Sequence, residues 1–157
     1  MNIKIYQIND ESGGDKLFKS LSGLGIKEID ASIYEKVFEG DVDCRNLEDV
    51  YTMFNLYHPE SYKGRSLSVS DVVVVTEDSG NIFGKIKYYT TSTLYEECIY
   101  ETKETFWTAV NEANEVGRTI DIEICSEPKP IVAKGAYFCD SIGFEKISFD
   151  ESKTIKI

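Results

Sequence analysis

One histidine, three prolines and one tryptophan in 157 residues leave little from which to build several common kinds of site. Four cysteines, Cys44, Cys98, Cys125 and Cys139, stand too far apart for any CxxC pair, and His58 alone adds little to them. No zinc site follows from that set, and no metal or cofactor is expected. No apolar run approaches the roughly 18 residues that span a bilayer. The amino terminus, Met1 to Tyr6, shows no basic stretch ahead of a long apolar segment, so no signal peptide is read there. The chain is expected in the cytoplasm, with reduced thiols acting as small hydrophobes. Cations are also scarce. Against 28 Asp and Glu stand 17 Lys and Arg, giving a net charge of −11 and a pI near 4.6. Repulsion of that sign opposes both nucleic acid and anionic membranes, so neither is an expected partner.

What is present is the composition of a folded protein. Hydrophobic residues make up 41% and aromatic residues 12%, enough to exclude disorder as the default. The length fits one domain, or one domain carrying an insertion. A chain of this size buries a core without metal or disulfide staples.

In chain order, residues 3–8 alternate as a strand with one strongly apolar face, Ile3 and Ile5 against Lys4 and Tyr6. Asp15 can cap a helix over 15–24, with Leu17, Phe18, Leu21 and Leu24 at helical spacing and Gly23 or Gly25 to end it. Residues 33–39 read as a second strand closed by Gly40 and Asp41. Asn46 caps a helix over 46–56 whose stripe is Leu47, Val50, Tyr51 and Phe54, and Pro59 stops it near Tyr57. Val72 to Val75 has no polar alternation, which predicts a central strand covered on both faces. Residues 85–91 and 95–100 carry strand patterns, with a short helix near 93–97 as the alternative. Thr102 caps a helix reaching Val116, with a core face of Phe106, Ala109, Val110, Ala113 and Val116, and residues 119–125 alternate as a strand. Ala136 to Asp140 and Phe144 to Ile147 read as a hairpin, and Glu151 to Ile157 is expected to fray.

The chemically dense stretch is 58–71, holding His58, Arg65, Ser66, Ser68, Ser70 and Asp71. A serine nucleophile needs a base within reach and a third group to orient that base. No Gly-x-Ser-x-Gly elbow supplies that geometry. The plainer reading has the serines and Asp71 satisfying loop backbone groups, with Arg65 tying the loop to a carboxylate, Asp71 or Asp140. These six residues are the binding candidates, and no residue is assigned as catalytic. A second feature is charge. Residues 95–127 hold nine carboxylates against Lys103 and Arg118, which is −7 of the chain's −11. Glu101, Glu104, Glu112, Glu115, Asp121 and Glu123 form the candidate acidic surface. The plain reading is a solvated face, and the sharper one is a carboxylate track resembling DNA phosphates.

Lys4 to Ile8, Tyr34 to Gly40, Asn46 to Tyr51, Phe54 to Val75 and Ala136 to Phe144 together resemble the YodL-like domain. The specific parts are the His58 to Asp71 block and Asp140-Ser141-Ile142-Gly143-Phe144. The resemblance covers about 1–80 and 135–150, so 82–134 stands as an insertion. It implies an origin in bacteria, chiefly low-GC Gram-positives, their phages and conjugative elements, at times beside antirestriction modules. It brings no catalytic residue set.

The expected fold is α+β: a mixed or antiparallel sheet with two to three helices, in one compact domain carrying a β-α-β-like insertion near 85–125. The expected function is that of a non-enzymatic protein-binding module of mobile-element origin, using the 58–71 loop or the acidic insertion. The alternative is an acidic DNA mimic that inhibits a restriction or defence factor. A third is a small hydrolase using His58 with a serine.

Overall fold

Four valines without polar alternation need apolar cover on both faces, and Val72–Val75 finds it in the middle of a sheet. In a computed structural model of the chain, which describes residues 1–14, 29–127 and 129–156, this strand is β3. The others are β1 (Asn2–Ile8), β2 (Tyr34–Asp41), β4 (Gly84–Thr90), β5 (Thr93–Tyr100), β6 (Thr119–Ile124), β7 (Gly135–Cys139) and β8 (Phe144–Ile147). The described helices are α1 (Asp10–Gly13), α2 (Leu47–Leu56) and α3 (Lys103–Glu115). The fold is α+β, as the sequence predicts, and its sheets are antiparallel in every strand pairing. The helix expected over 15–24 lies outside the described residues.

The chain divides into two compact units, Met1–Ser79 with Val132–Ile157, and Gly80–Ile131. In the first, the strand order is β2-β1-β3-β7-β8. One face carries Tyr6, Ile8, Tyr34, Val72, Val74, Ala136 and Phe138, with Phe149 packed onto it. On the other, Phe54 of α2 sets its ring 4.9 Å from Phe38, which lies opposite Ile5 of β1. β1 is therefore covered on both faces from Ile5 to Ile8, where the sequence suggested a single apolar face. Asn46 caps α2 by accepting from the Asp49 N–H at 2.8 Å, and Leu47, Val50 and Phe54 are buried. Tyr51, expected in that stripe, is 43% exposed at its edge.

Over its described residues, 151–156, the carboxyl-terminal segment does not fray. Glu151 accepts from the Tyr6 hydroxyl at 2.7 Å and from Lys4 at 3.1 Å. Ile155 donates its N–H to the Tyr34 carbonyl at 2.8 Å, so the segment is stitched to β1 and β2. Between β3 and β7, Ser79 and Val132 exchange two backbone hydrogen bonds, at 2.8 and 3.2 Å.

The second unit is a three-stranded sheet in the order β5-β4-β6 with α3 on one face. β5 and β6 run the same way on either side of β4, joined through α3, which is a split β-α-β arrangement. Its core is Ile86, Tyr88, Phe106, Val110 and Ala113. Gly84 is required by that packing. A Cβ there would stand 2.8 Å from the Phe106 ring and 2.9 Å from the Glu123 carbonyl oxygen. Val116, expected on the core face, is 72% exposed because α3 ends at Glu115 and the chain leaves helical geometry there.

Candidate functional site

Pro59 ends α2, and the chain returns to β3 through a segment whose polar groups turn inward. Asp71 is sealed at 0% exposure, directly before the valines. Its Oδ2 accepts from the Ser68 N–H at 2.7 Å and from Gln7 Nε2 at 3.0 Å, and its Oδ1 accepts from Arg65 Nη2 at 3.0 Å. Gln7, in β1, also donates to the Tyr62 hydroxyl at 3.0 Å and accepts from the Arg65 N–H at 3.1 Å. Tyr62 in turn donates to the Arg65 carbonyl. Burial pushes the Asp71 carboxyl up to about 7, opposed by the Arg65 guanidinium, the Ser68 N–H and Gln7. This network fastens the loop to β1 and gives the buried Asp71 carboxyl and Gln7 amide their hydrogen-bond partners.

Ser70, just before Asp71, is buried at φ +86°, a left-handed backbone that costs a non-glycine residue about 1 kcal/mol or more. It is held there from both sides. Its carbonyl accepts from the Tyr34 hydroxyl at 2.7 Å, and its N–H donates to the Cys139 carbonyl at 2.9 Å. Cys139 donates its own N–H to the Asp71 carbonyl at 2.8 Å. The 58–71 block and the Cys139 to Phe144 block, sequence neighbours of nothing in common, thus meet at one point. Beside it lies a cavity of about 300 Å³ lined by Tyr51, Thr52, Val69, Cys139, Ser141 and Phe144 among others. The Cys139 thiol is pushed up to about 12, chiefly by burial and then by Asp71 and Asp140, so it is a packing group rather than a nucleophile.

Of the six loop candidates, Ser70 and Asp71 are buried, Arg65 and Ser68 are half-buried, and only His58 and Ser66 are exposed. Ser68 Oγ donates to the Ser66 carbonyl at 2.9 Å. His58 packs its ring 5.3 Å from that of Tyr62, and Nδ1 lies 3.3 Å from the Pro59 carbonyl. Among the described residues no serine side chain is hydrogen-bonded to His58. Nor does any group of three or more His, Cys, Asp or Glu residues there have the arrangement to hold a metal ion.

The six acidic candidates are all exposed but do not share a face. Glu104, Glu112 and Glu115 lie on the side of α3 away from its buried Phe106, Val110 and Ala113. Asp121 and Glu123 alternate with Ile120, which packs into the α3 core, so they face the opposite, open side of the sheet. There Lys87 and Lys85 of β4 stand directly across from them in register. Glu101 sits in the turn ahead of α3.

Sequence reasoning missed Gln7 and Tyr62. An amide at position 7, between Ile5 and Ile8 in a strand, is the available signal, since a buried amide demands partners. Among the described residues no helix is long and apolar enough to cross a membrane. No curated protein and no solved structure matches the chain. The model of the YodL-like domain matches residues 2–100. The match takes in both the His58 to Asp71 block and the β4–β5 hairpin that the sequence reading placed in the insertion. With well over half of its length so matched, the chain belongs to the YodL-like domain family.

Proposed function

We propose that this chain is a non-enzymatic protein-binding module of mobile-element origin acting in the cytoplasm, and that the Gly80–Ile131 unit is its partner-binding part. The observation that carries this reading is the mixed surface of that unit. Leu94, Tyr95, Trp107, Val116, Ile122 and Ile124 are exposed there, six of the ten exposed large apolar side chains among the described residues. They stand among carboxylates. All six belong to β5, α3 with its cap residue, or β6 of one compact unit. Exposed apolar side chains favour association, and the surrounding charge selects a basic partner. The 58–71 loop offers less, since Arg65, Ser70 and Asp71 are engaged within the fold. Four free cysteines fit a reducing compartment.

The DNA-mimic alternative asks for one continuous carboxylate track, whereas these carboxylates lie on two opposite sides of the unit. The hydrolase alternative asks for a base beside a serine, and His58 instead leans on Tyr62.

The test uses the full-length chain and a partner recovered from a host extract, purified and titrated by calorimetry. Trp107→Ala with Val116→Asp is expected to weaken binding about tenfold or more, and His58→Ala with Ser66→Ala to leave it unchanged. The reverse pattern moves the site to the loop. A His58-dependent turnover of an ester or peptide would replace the reading with an enzymatic one.

A further inference from the structure

We propose that β6 is the docking edge of this module and takes, as a fourth strand, an extended partner segment in which Lys or Arg alternates with apolar residues. The inference rests on the binding reading above and adds the mode and the chemistry of the partner.

β6 is the outer strand of its sheet, and an edge strand leaves alternate backbone N–H and C=O groups without a ladder partner. Its six residues pair with β4 in unbroken register from Gly84↔Ile124 to Tyr89↔Thr119. The other edge, β5, is different. Its register slips between Tyr88 and Tyr89, leaving Tyr95 without a counterpart and only Glu96–Tyr100 in unbroken register, and such an irregularity bends and twists the strand locally. β6 is therefore the regular edge of the two, about 20 Å of straight template.

The side chains of β6 specify what would pair with it. On the α3 side, Ile122 and Ile124 are 45% and 47% exposed, a row of apolar groups that the unit's own core leaves half-covered. On the open side are Asp121 and Glu123. Lys85 lies across from Glu123, yet its Nζ is 3.8 Å from Glu97 of β5, on the other flank. Among the described residues, neither Asp121 nor Glu123 has an ion-pair partner within 4 Å. A fourth strand with basic residues at every second position would set them beside these carboxylates and its apolar residues beside the isoleucines, the cross-strand pairs that stabilise a sheet. A second copy of β6 does this poorly. An antiparallel register that keeps the two faces aligned and overlaps more than three residues of the strand sets Asp121 against Asp121 or Glu123, which is destabilising.

The experiment titrates the full-length chain with three labelled peptides of eight residues. One alternates Lys and Val, one has the same residues in two blocks, and one alternates but carries backbone N-methyl groups at every second position. Anisotropy reports affinity, and amide hydrogen exchange reports location. The alternating peptide should bind at least about tenfold more tightly than the other two. It should protect amides of 119–124 and weaken as salt rises. Asp121→Lys with Glu123→Lys should lose it and accept an alternating Glu/Val peptide instead. Equal binding by the blocked or N-methylated peptide, protection placed on another strand, no binding of the alternating peptide, or a β6-mediated dimer in sedimentation would each overturn strand addition. Because the N-methyl comparison uses the unaltered chain, it holds even where the charge-reversed variant misfolds. If strand addition is overturned while Trp107→Ala with Val116→Asp still abolishes partner capture, the broader binding reading stands without it.

Discussion

Arg65 and Asp71 are an ion pair that joins the outside of the fold to its interior: Nη2 lies 3.0 Å from Oδ1, with the arginine side chain 31% exposed and the aspartate at 0%. The pair is asymmetric in what its loss costs. Removing the arginine leaves a buried carboxyl that must either stay charged without its partner or take up a proton, whereas removing both partners leaves neither demand. Arg65→Ala should destabilise the chain by about 3 kcal/mol, near the low end for a buried pair because Arg65 is partly solvated. Arg65→Ala with Asp71→Asn should recover part of that loss. Urea denaturation of the four forms gives the coupling energy, and a strictly additive double variant would mean that the pair is incidental.

The Asp71 carboxyl, raised from an ordinary value near 3.8 to about 7, also sets a pH dependence. Between those values the native state holds a proton that the unfolded chain releases, so this group's contribution is full below pH 4 and is lost as pH rises through 7. The effect is at most about 4 kcal/mol over that window. The stability of the natural chain, measured against Asp71→Asn at pH 4, 5.5 and 7, should fall more steeply with rising pH. Parallel curves would place the carboxyl at an ordinary pKa.

Gly84→Ala should destabilise the Gly80–Ile131 unit by about 1–3 kcal/mol, since the new methyl meets the Phe106 ring and a backbone carbonyl that cannot retreat. Amide exchange would show the loss in β4, β6 and α3 while β1 and β3 keep their protection. Uniform loss throughout the chain would argue against the close-approach explanation.

Thiol labelling separates the four cysteines. Cys139 and Cys44 are buried, and burial raises both thiols, so they should resist iodoacetamide at pH 8 until the chain unfolds. Cys98 is half-buried and raised by burial and by Glu96, and Cys125 is half-buried. Mass spectrometry of the alkylated native chain should find these two labelled first. Early modification of Cys139 would mean that the cavity beside it admits solvent freely.

The fold was legible where periodicity is strong. The valines of β3, the Asn46 cap and the alternation of 119–124 all led to the elements observed. What stayed hidden depended on contacts between distant segments. The β4–β5 hairpin turns at Thr91, which takes φ +60° without the Asn-Gly signal that announces such turns. The order of the carboxyl-terminal segment depends on Tyr6 and Lys4 reaching Glu151 across almost the whole chain. At the 58–71 block, Arg65's tie was readable as a choice between two acids. The part played by Gln7 was not, because nothing in a lone strand says which loop will cross it.

The paired hydrogen bonds between Ser79 and Val132 have a consequence for how this chain can change. β3 and β7 are adjacent antiparallel strands, aligned from Val72↔Phe138 to Val75↔Gly135, and that two-bond clasp closes the chain again just beyond their ladder, one residue out of its register. To the first sheet, everything between the clasp residues is the turn of a hairpin. The entropy of closing a loop grows only with the logarithm of its length, so replacing a turn of two residues by one of fifty costs about 3 kcal/mol, which the packing inside the inserted unit can offset. The position behaves as a socket, into which segments of quite different content can be fitted while the Asp71 network beneath remains as it is.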